Sequence, residues 1–298
     1  MEDWVEVQRL IGERAPDIEV RIVRNGLPNS ATCRWQTRRP SLVFSAVELD
    51  TYRPPGGKIY AGQRMRQIDK RKELSRLAAA GLPIPSTVPF LPDMKLDDAE
   101  WGEFVVAKPT IGGSGRGVRL IRTARIAERH AELTRLFGPM VVQRFVEHTD
   151  ERGHPGGYRV LTIFGQELYA IYRSREPRTR SLAELADDPD GILAFNFDEE
   201  GAAERARELS YDRDVIGLAC SISRVFPERP VLGVDIVRET GSGKLVIMEC
   251  NPSGRVWHLS SVTAEKLESD FLAGIRGQFN AISRVADLLI ERTRAEAI

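Results

Sequence analysis

The segment GVDIVRETGSGKLVIMECNPSG, residues 233–254, constrains this chain more than any other part of it. Two apolar runs, GVDIV and LVIMECNP, flank Gly241, Ser242 and Gly243, which read as the turn of a β-hairpin. Each run carries polar side chains that an apolar strand does not bury without compensation: Asp235 in the first, Glu249 and Asn251 in the second. Residues two apart on a strand face the same side, so Glu249 and Asn251 point one way. Two carboxylates and an amide oxygen make a hard, all-oxygen donor set that suits Mg²⁺ or Mn²⁺, with water and phosphate oxygens completing the shell. The plainer alternative is a set of polar groups at strand ends, because short acidic motifs often match by chance.

Composition narrows what such a hairpin can serve. In 298 residues, 43 lysines and arginines balance 43 aspartates and glutamates, so no global field draws the chain to nucleic acid or to an anionic membrane. Any anion must then be held by local groups. Cys33, Cys220 and Cys250 are widely spaced and lack a CxxC pairing, which argues against a disulfide framework or a zinc site and fits a reducing cytoplasm. Glu2, Asp3, Glu6 and Arg9 interrupt the region where a secretory peptide needs an apolar core. No later stretch approaches about 18 uncharged apolar residues, so a soluble, cytoplasmic protein is expected.

Periodicity places the remaining elements. WVEVQRLIGERA reads as a helix, IEVRIVRNG and PSLVFSAVEL as strands, together a small α/β lobe over residues 1–65. A helix opened by Asp69 and Lys70 carries Leu74 and Leu77 on one face and ends at Gly81, Pro83 and Pro85. EFVVAKP and VRLI are strands, and a helix with Ile126, His130, Leu133 and Phe137 on its apolar face follows, with His130 read as packed. PMVVQRFV and YRVLTIFGQELYAIYR are strand-like, the second turning at Gly165, and Ser181 to Glu184 fits a capping box. A loop to about residue 200, a helix over 201–225, and a carboxy-terminal helical stripe of Leu272, Ile275, Phe279, Ile282 and Leu289 complete the reading. The expected lobes are 1–65, 66–140 and 141–298.

Gly112, Gly113, Ser114, Gly115, Arg116 and Gly117 follow a strand that ends in Lys108, and small residues there let backbone N–H groups close on phosphate oxygens. Gly117 is followed by Val118 rather than by Lys-Ser/Thr, so this is no P-loop, and a strand rather than a helix comes next, so it is no dinucleotide loop. A flap between two strands fits better. Lys70 and Lys108 supply charge for a triphosphate, and Arg159 and Arg173 bracket a strand pair where each can meet a phosphate or a substrate carboxylate. A solvated surface lysine or arginine is the alternative at each position.

With these pieces in chain order, the sequence resembles the ATP-grasp superfamily, in particular carboxylate-amine ligases of the ribosomal-protein glutamate ligase (RimK-like) type. The matching motifs are DKRKELSRLAAAGLPIPST, VVAKPTIGGSGRGV, VVQRFV, YRVLTIFGQELYAIYR, GVDIV and MECNPSG, spanning residues 69–254. The resemblance implies an α/β fold of α+β lobes, two of them clasping ATP, preceded by a short, truncated α/β amino-terminal lobe. It implies that Lys70 and Lys108 hold the α- and β-phosphates under the flap of Gly112, Gly113, Ser114, Gly115 and Gly117. It also implies that Gln143, Arg144, Phe145 and Val146 form the hinge that receives adenine, with backbone groups of Arg144 and Val146 reading the base edge. Arg159, Arg173 and Asn196 then fall near the γ-phosphate, and Asp235, Glu249 and Asn251 bind two Mg²⁺ ions, Mn²⁺ being an alternative, with Glu249 bridging. The chain departs from the family in having Gln143-Arg144 where Gln-Glu is usual, Gly157 where an Asp often precedes the arginine, and a shorter amino-terminal lobe.

The implied chemistry is attack of a substrate carboxylate on the γ-phosphoryl group, giving an acyl phosphate and ADP, then displacement of phosphate by an amine. No nucleophilic side chain is required. The partners are therefore a small-molecule or peptide carboxylate and an amine such as an amino acid, with a homo-oligomer as one assembly. Arg255, Trp257 and His258 can line the acceptor pocket, and Arg175, Arg178 and Arg180 can attract an acidic substrate. Two other readings fit the same motifs: a phosphotransferase on the same fold, and a non-catalytic nucleotide-binding protein.

Overall fold

The computed structural model describes residues 2–23, 38–49, 54–62, 69–112, 115–151, 153–188, 204–252, 257, 259–260 and 264–298. Its helices are α1 (Glu2–Arg14), α2 (Lys70–Ala79), α3 (Asp98–Trp101), α4 (Ile126–Phe137), α5 (Leu182–Asp187), α6 (Arg213–Ser221), α7 (Ser269–Gln278) and α8 (Ala281–Glu296). Its strands are β1 (Leu42–Ser45), β2 (Lys58–Ala61), β3 (Thr87–Pro89), β4 (Phe104–Pro109), β5 (Arg119–Arg122), β6 (Met140–Arg144), β7 (Gly156–Ile163), β8 (Gln166–Arg175), β9 (Glu204–Leu209), β10 (Val231–Arg238) and β11 (Leu245–Asn251). No helix among the described residues is long and apolar enough to cross a membrane.

Alternation within β7, β8, β10 and β11 builds a five-stranded antiparallel sheet in the order β11-β10-β7-β8-β9. One face buries Leu161, Ile163, Tyr169 and Ile171 under Val7 and Ile11 of α1 and Val285, Ala286 and Leu289 of α8. The other buries Val160, Ala170, Val234, Ile236, Ile247 and Cys250 under Leu74 and Leu77 of α2 and Val215 and Ala219 of α6. A second antiparallel sheet runs β3-β6-β4-β5. α4 covers one of its faces through Ile126 and Leu133 packed on Val105, Ala107, Ile121 and Val142. The opposite face presents Val106 and Leu120, partly covered by Leu182, Leu185 and Ala186 of α5. β1 and β2 form a parallel pair beside the amino-terminal helix.

The smaller sheet takes in β6, and so extends to Arg144. α2 sends its apolar face into the core of the larger sheet, while its first N–H, on Lys70, donates to the Thr110 carbonyl just beyond β4 at 2.9 Å. That helix joins the two sheets.

Several local expectations meet their structural outcome here. Residues 18–23 of IEVRIVRNG form no strand, and residues 24–26 lie outside the described part. Gln8 Nε2 of α1 donates to the Val20 carbonyl at 2.7 Å, a side-chain bond in place of a ladder bond. The helix expected over 201–225 is instead β9 followed by α6. β8 would otherwise leave a long edge of unpaired N–H and C=O groups, and pairing with β9 outweighs the helix propensity of the Glu-Arg-Ala-Arg-Glu-Leu run. Helix then starts at Asp212, whose carboxylate accepts from the Asp214 and Val215 N–H groups at 3.1 and 3.2 Å. The capping box is present, with Ser181 and Glu184 bonded reciprocally. The carboxy-terminal stripe is split between α7 and α8 by Asn280 at φ 52°, and His130 packs edge-on against Phe90 with ring centroids 5.0 Å apart. Among the cysteines, Cys220 and Cys250 are free thiols, and Cys33 lies outside the described residues.

Candidate functional site

The hairpin of β10 and β11 turns through Gly241 (φ 80°) and Gly243 (φ 66°). Asp235 stands directly opposite Glu249, and Gly233 opposite Asn251. Cross-strand partners share a face, so Asp235, Glu249 and Asn251 lie on one side of the sheet. Between Asp235 and Ile236 the register slips by one residue, leaving Met248 as a bulge beside Glu249. Asn251 Nδ2 donates to Asp235 Oδ2 at 3.1 Å.

Arg159 on β7 is the next residue in that row, opposite Asp235 on its other side. Its Nε and Nη2 donate to the two Asp235 oxygens at 2.8 and 2.9 Å, a bidentate pair in which both partners are buried. Arg173 on β8 lies opposite Gly157, two residues from Arg159, and therefore on the same face, 3% exposed.

Lys70 reaches the row from α2. Its Nζ lies 2.8 Å from Glu249 Oε1 and donates to the Gly112 carbonyl at 3.0 Å, so one ammonium touches both the hairpin and the start of the flap. Lys108, at the end of β4, completes the cationic side. Burial pushes its pKa down to about 8, opposed by the charges of Glu249 and Asp235 and assisted by that of Lys70. Burial pushes the Glu249 carboxyl up, but Lys70, then Lys108 and Arg159, outweigh it and the net shift is downward. For Asp235, burial raises the pKa and the Arg159 contact works against it.

In the flap, Gly117 has φ 79°, and a Cβ there would sit 2.8 Å from Pro109 Cγ and 2.9 Å from the Phe137 ring. Only glycine fits. The Gly115 carbonyl accepts from the Val118 N–H at 3.1 Å. Gly113, Ser114 and Asn196 lie outside the described residues, as do Arg255 and His258.

In the hinge, the Arg144 N–H donates to the Ser86 carbonyl at 2.9 Å, and its side chain pairs with Glu239 at 2.7 Å. The Val146 carbonyl accepts from His148 Nδ1 at 2.8 Å. Two of the backbone groups assigned to a base edge are thus already engaged, while the Val146 N–H makes no hydrogen bond among the described residues. Phe145 faces Val106 and Leu120. Gln143, 1% exposed, has an amide oxygen with no hydrogen-bond partner among the described residues.

Two residues that pattern reading passes over complete the arrangement. Glu73, one turn along α2 from Lys70, is 3% exposed, and its Oε1 accepts from the Cys250 N–H at 3.0 Å, between the two polar residues of β11. Its other oxygen pairs with Arg229 at 3.2 Å. The available signal was the spacing of Lys70 and Glu73, which places both on one helix face. Trp257, by contrast, packs on the amino-terminal helix: its Nε1 donates to Asp3 at 2.9 Å and its ring stacks on Trp4 at 4.9 Å. Arg178 pairs with Glu147 at 3.2 Å and Arg180 with Asp188 at 2.8 Å.

Among the described residues no three His, Cys, Asp or Glu side chains gather as a metal site. The hairpin offers two carboxylates and an amide, which fit a hard divalent ion that keeps several water or phosphate ligands. Each carboxylate here holds a cation of the chain itself, Lys70 on Glu249 and Arg159 on Asp235.

No protein-family model and no curated protein matches the chain. Among solved structures, the D-cycloserine synthetase DcsG matches 98% of this chain and 94% of its own at 18% identity, with a TM-score of 0.53. The ATP-grasp ligase PsnB, complexed with a minimal precursor, matches 76% of this chain at 20% identity and a TM-score of 0.45, and the match spans 60% of the PsnB chain. A D-alanine–D-alanine ligase from Bacillus anthracis matches 77% of this chain and 72% of its own at 15% identity and a TM-score of 0.47. The likeness shows that the chain has the ATP-grasp fold.

Proposed function

We propose that this chain is an ATP-dependent carboxylate-amine ligase, of the ribosomal-protein glutamate ligase type, that forms an amide or peptide bond through an acyl phosphate. The observation that carries the reading is the convergence of three cations, Lys70, Lys108 and Arg159, on the face where Asp235, Glu249 and Asn251 meet. Cations alone suit any anion. Cations facing a carboxylate pair suit a nucleoside triphosphate that arrives with a divalent ion.

Mg²⁺ or Mn²⁺ held by Asp235, Glu249 and the Asn251 amide oxygen supplies Lewis-acid neutralisation of phosphate oxygens when bound. Lys70, paired with Glu249 in this structure, and Lys108 would hold the α- and β-phosphates, and Arg159 and Arg173 would neutralise the γ-phosphoryl group during in-line attack by the substrate carboxylate. The products of that step are the acyl phosphate and ADP. An amine next attacks the acyl carbon and expels phosphate. The flap from Gly112 to Gly117 excludes water, which would otherwise hydrolyse the acyl phosphate.

The test is phosphate release from ATP and Mg²⁺ in the presence of panels of amino acids and short peptides. A ligase releases phosphate in proportion to amide formed and only when acid and amine are both supplied. Stable phosphorylation of a single acceptor would overturn the reading in favour of phosphotransfer.

A further inference from the structure

The hairpin that carries the candidate metal ligands runs past its own sheet. β10 pairs with β11 as far as Arg238, opposite Leu245, but with β7 only as far as Ile236 among the described residues. Beyond that point two strands continue without a third, and β11 is the edge of the sheet. A lone two-stranded ribbon is marginally stable, and a bulge increases the twist of the strand that holds it. Here the bulge is Met248, the neighbour of Glu249, immediately before the overhang. A twist of an untethered tip would therefore reach the Glu249 carboxylate.

The tip is instead fastened to residues 144–149, which start at the end of β6 and lead from the smaller sheet toward β7 of the larger. Glu239 pairs with Arg144 at 2.7 Å, and Ser242 Oγ donates to the second Glu239 oxygen at 2.6 Å. The Thr240 N–H donates to the Glu147 carbonyl at 2.8 Å. Its hydroxyl accepts from the Thr149 N–H at 2.9 Å and donates to the Thr149 carbonyl at 3.0 Å. Val146 packs with Val237, Val246 and Met248, so the bulge residue itself is seated on the same segment.

We propose that Glu239 and Thr240 are positioning residues for the metal site: by tying the hairpin tip to the segment between the two sheets, they fix the twist of the ribbon at the Met248 bulge and with it the aim of Glu249. This rests on the reading of Asp235, Glu249 and Asn251 as metal ligands. Neither positioning residue is a ligand itself, since Glu239 stands four residues beyond Asp235, roughly 13 Å of extended strand. A small ion that demands octahedral geometry tolerates little misdirection of a carboxylate, so a loosened ribbon weakens the ion more than it weakens the fold.

The test is Mn²⁺ titration of the nucleotide-free full chain, with bound ion read from the loss of the free-ion electron paramagnetic resonance signal. Glu239→Lys, which sets two cations against each other, and Thr240→Val should bind Mn²⁺ about 10-fold more weakly than wild type. Thr240→Ser, which keeps the hydroxyl, and the charge-exchanged Arg144→Glu/Glu239→Lys should stay near wild type. Hydrogen exchange needs no metal and separates positioning from a general loss of stability. In the two weakened variants the amides of Glu239, Thr240 and Ile247 should exchange faster, while those of β7 and β8 keep their wild-type protection. Glu239→Lys and Thr240→Val proteins that bind Mn²⁺ as tightly as wild type, or that lose protection across β7 and β8 as well, overturn this inference alone. Wild type that binds no Mn²⁺, or a Glu249→Gln variant that binds it as tightly as wild type does, overturns it together with the metal reading.

Discussion

Arg159 holds Asp235 through two parallel hydrogen bonds of 2.8 and 2.9 Å across adjacent strands, with both side chains largely withdrawn from water. The pair is one of two in the site in which a carboxylate holds a cation of the chain itself, the other being Lys70 on Glu249. Breaking it by removing one partner leaves the other charge buried and uncompensated.

Asp235→Asn should therefore destabilise the fold by about 3–5 kcal/mol. The double variant Asp235→Asn/Arg159→Gln should recover part of that loss. Denaturant unfolding of the three proteins checks this, and a single variant as stable as wild type would mean that the pair is not buried as described.

Lys108 gives a pH dependence with a defined sign. Burial lowers its pKa from the ordinary 10.5 to about 8 in the folded chain. Between those values the unfolded state binds more protons, so this residue's contribution makes stability rise as pH climbs from about 8 to about 10.5, and costs stability below about 8. Triphosphate affinity runs the opposite way, falling as the ammonium discharges. Lys108→Met should flatten the alkaline rise in melting temperature, stabilise the nucleotide-free protein near neutral pH, and weaken triphosphate binding. A melting profile in which the variant and wild type rise in parallel above pH 8 would refute the assignment.

Glu73 should behave as a brace. Glu73→Ala leaves the Cys250 N–H and Arg229 without their acceptor and should cost about 3 kcal/mol. Glu73→Gln keeps an oxygen for Cys250 and should cost less. Thermal melts rank the two, and hydrogen exchange at the Cys250 amide reports the bond directly, with protection lost in the alanine variant.

Gly117→Ala should cost about 1–3 kcal/mol, because it forces a side chain into left-handed backbone and drives a methyl against Pro109 and Phe137. Gly115→Ala, where φ is 66°, tests strain at a second flap position. Urea midpoints for both, compared with wild type, decide whether the contact with Phe137 or the backbone alone is felt.

The sequence made the sheets legible wherever alternation was clean, as in VVAKP, YRVLTIFGQELYAIY and GVDIV, because the side-chain period of two is a local property. It made the hairpin set legible for the same reason, although the bulge at Met248 re-aims that strand in a way that plain alternation does not foresee. β9 was misread as helix because its residues are good helix formers, and the demand that overrides them, the open edge of β8, comes from a strand some thirty residues earlier in the chain. Glu73 and Arg229 stayed hidden for a kindred reason. A buried acid gives no local sign of its partner when that partner, the peptide of Cys250, is backbone and lies 177 residues away.

The helix that begins at Lys70 is rooted by Leu74 and Leu77 in one sheet and fastened by its first amide to Thr110 at the end of the other. The ammonium carried by that same first residue spans the junction, meeting Glu249 of the larger sheet and the Gly112 carbonyl just past the smaller one.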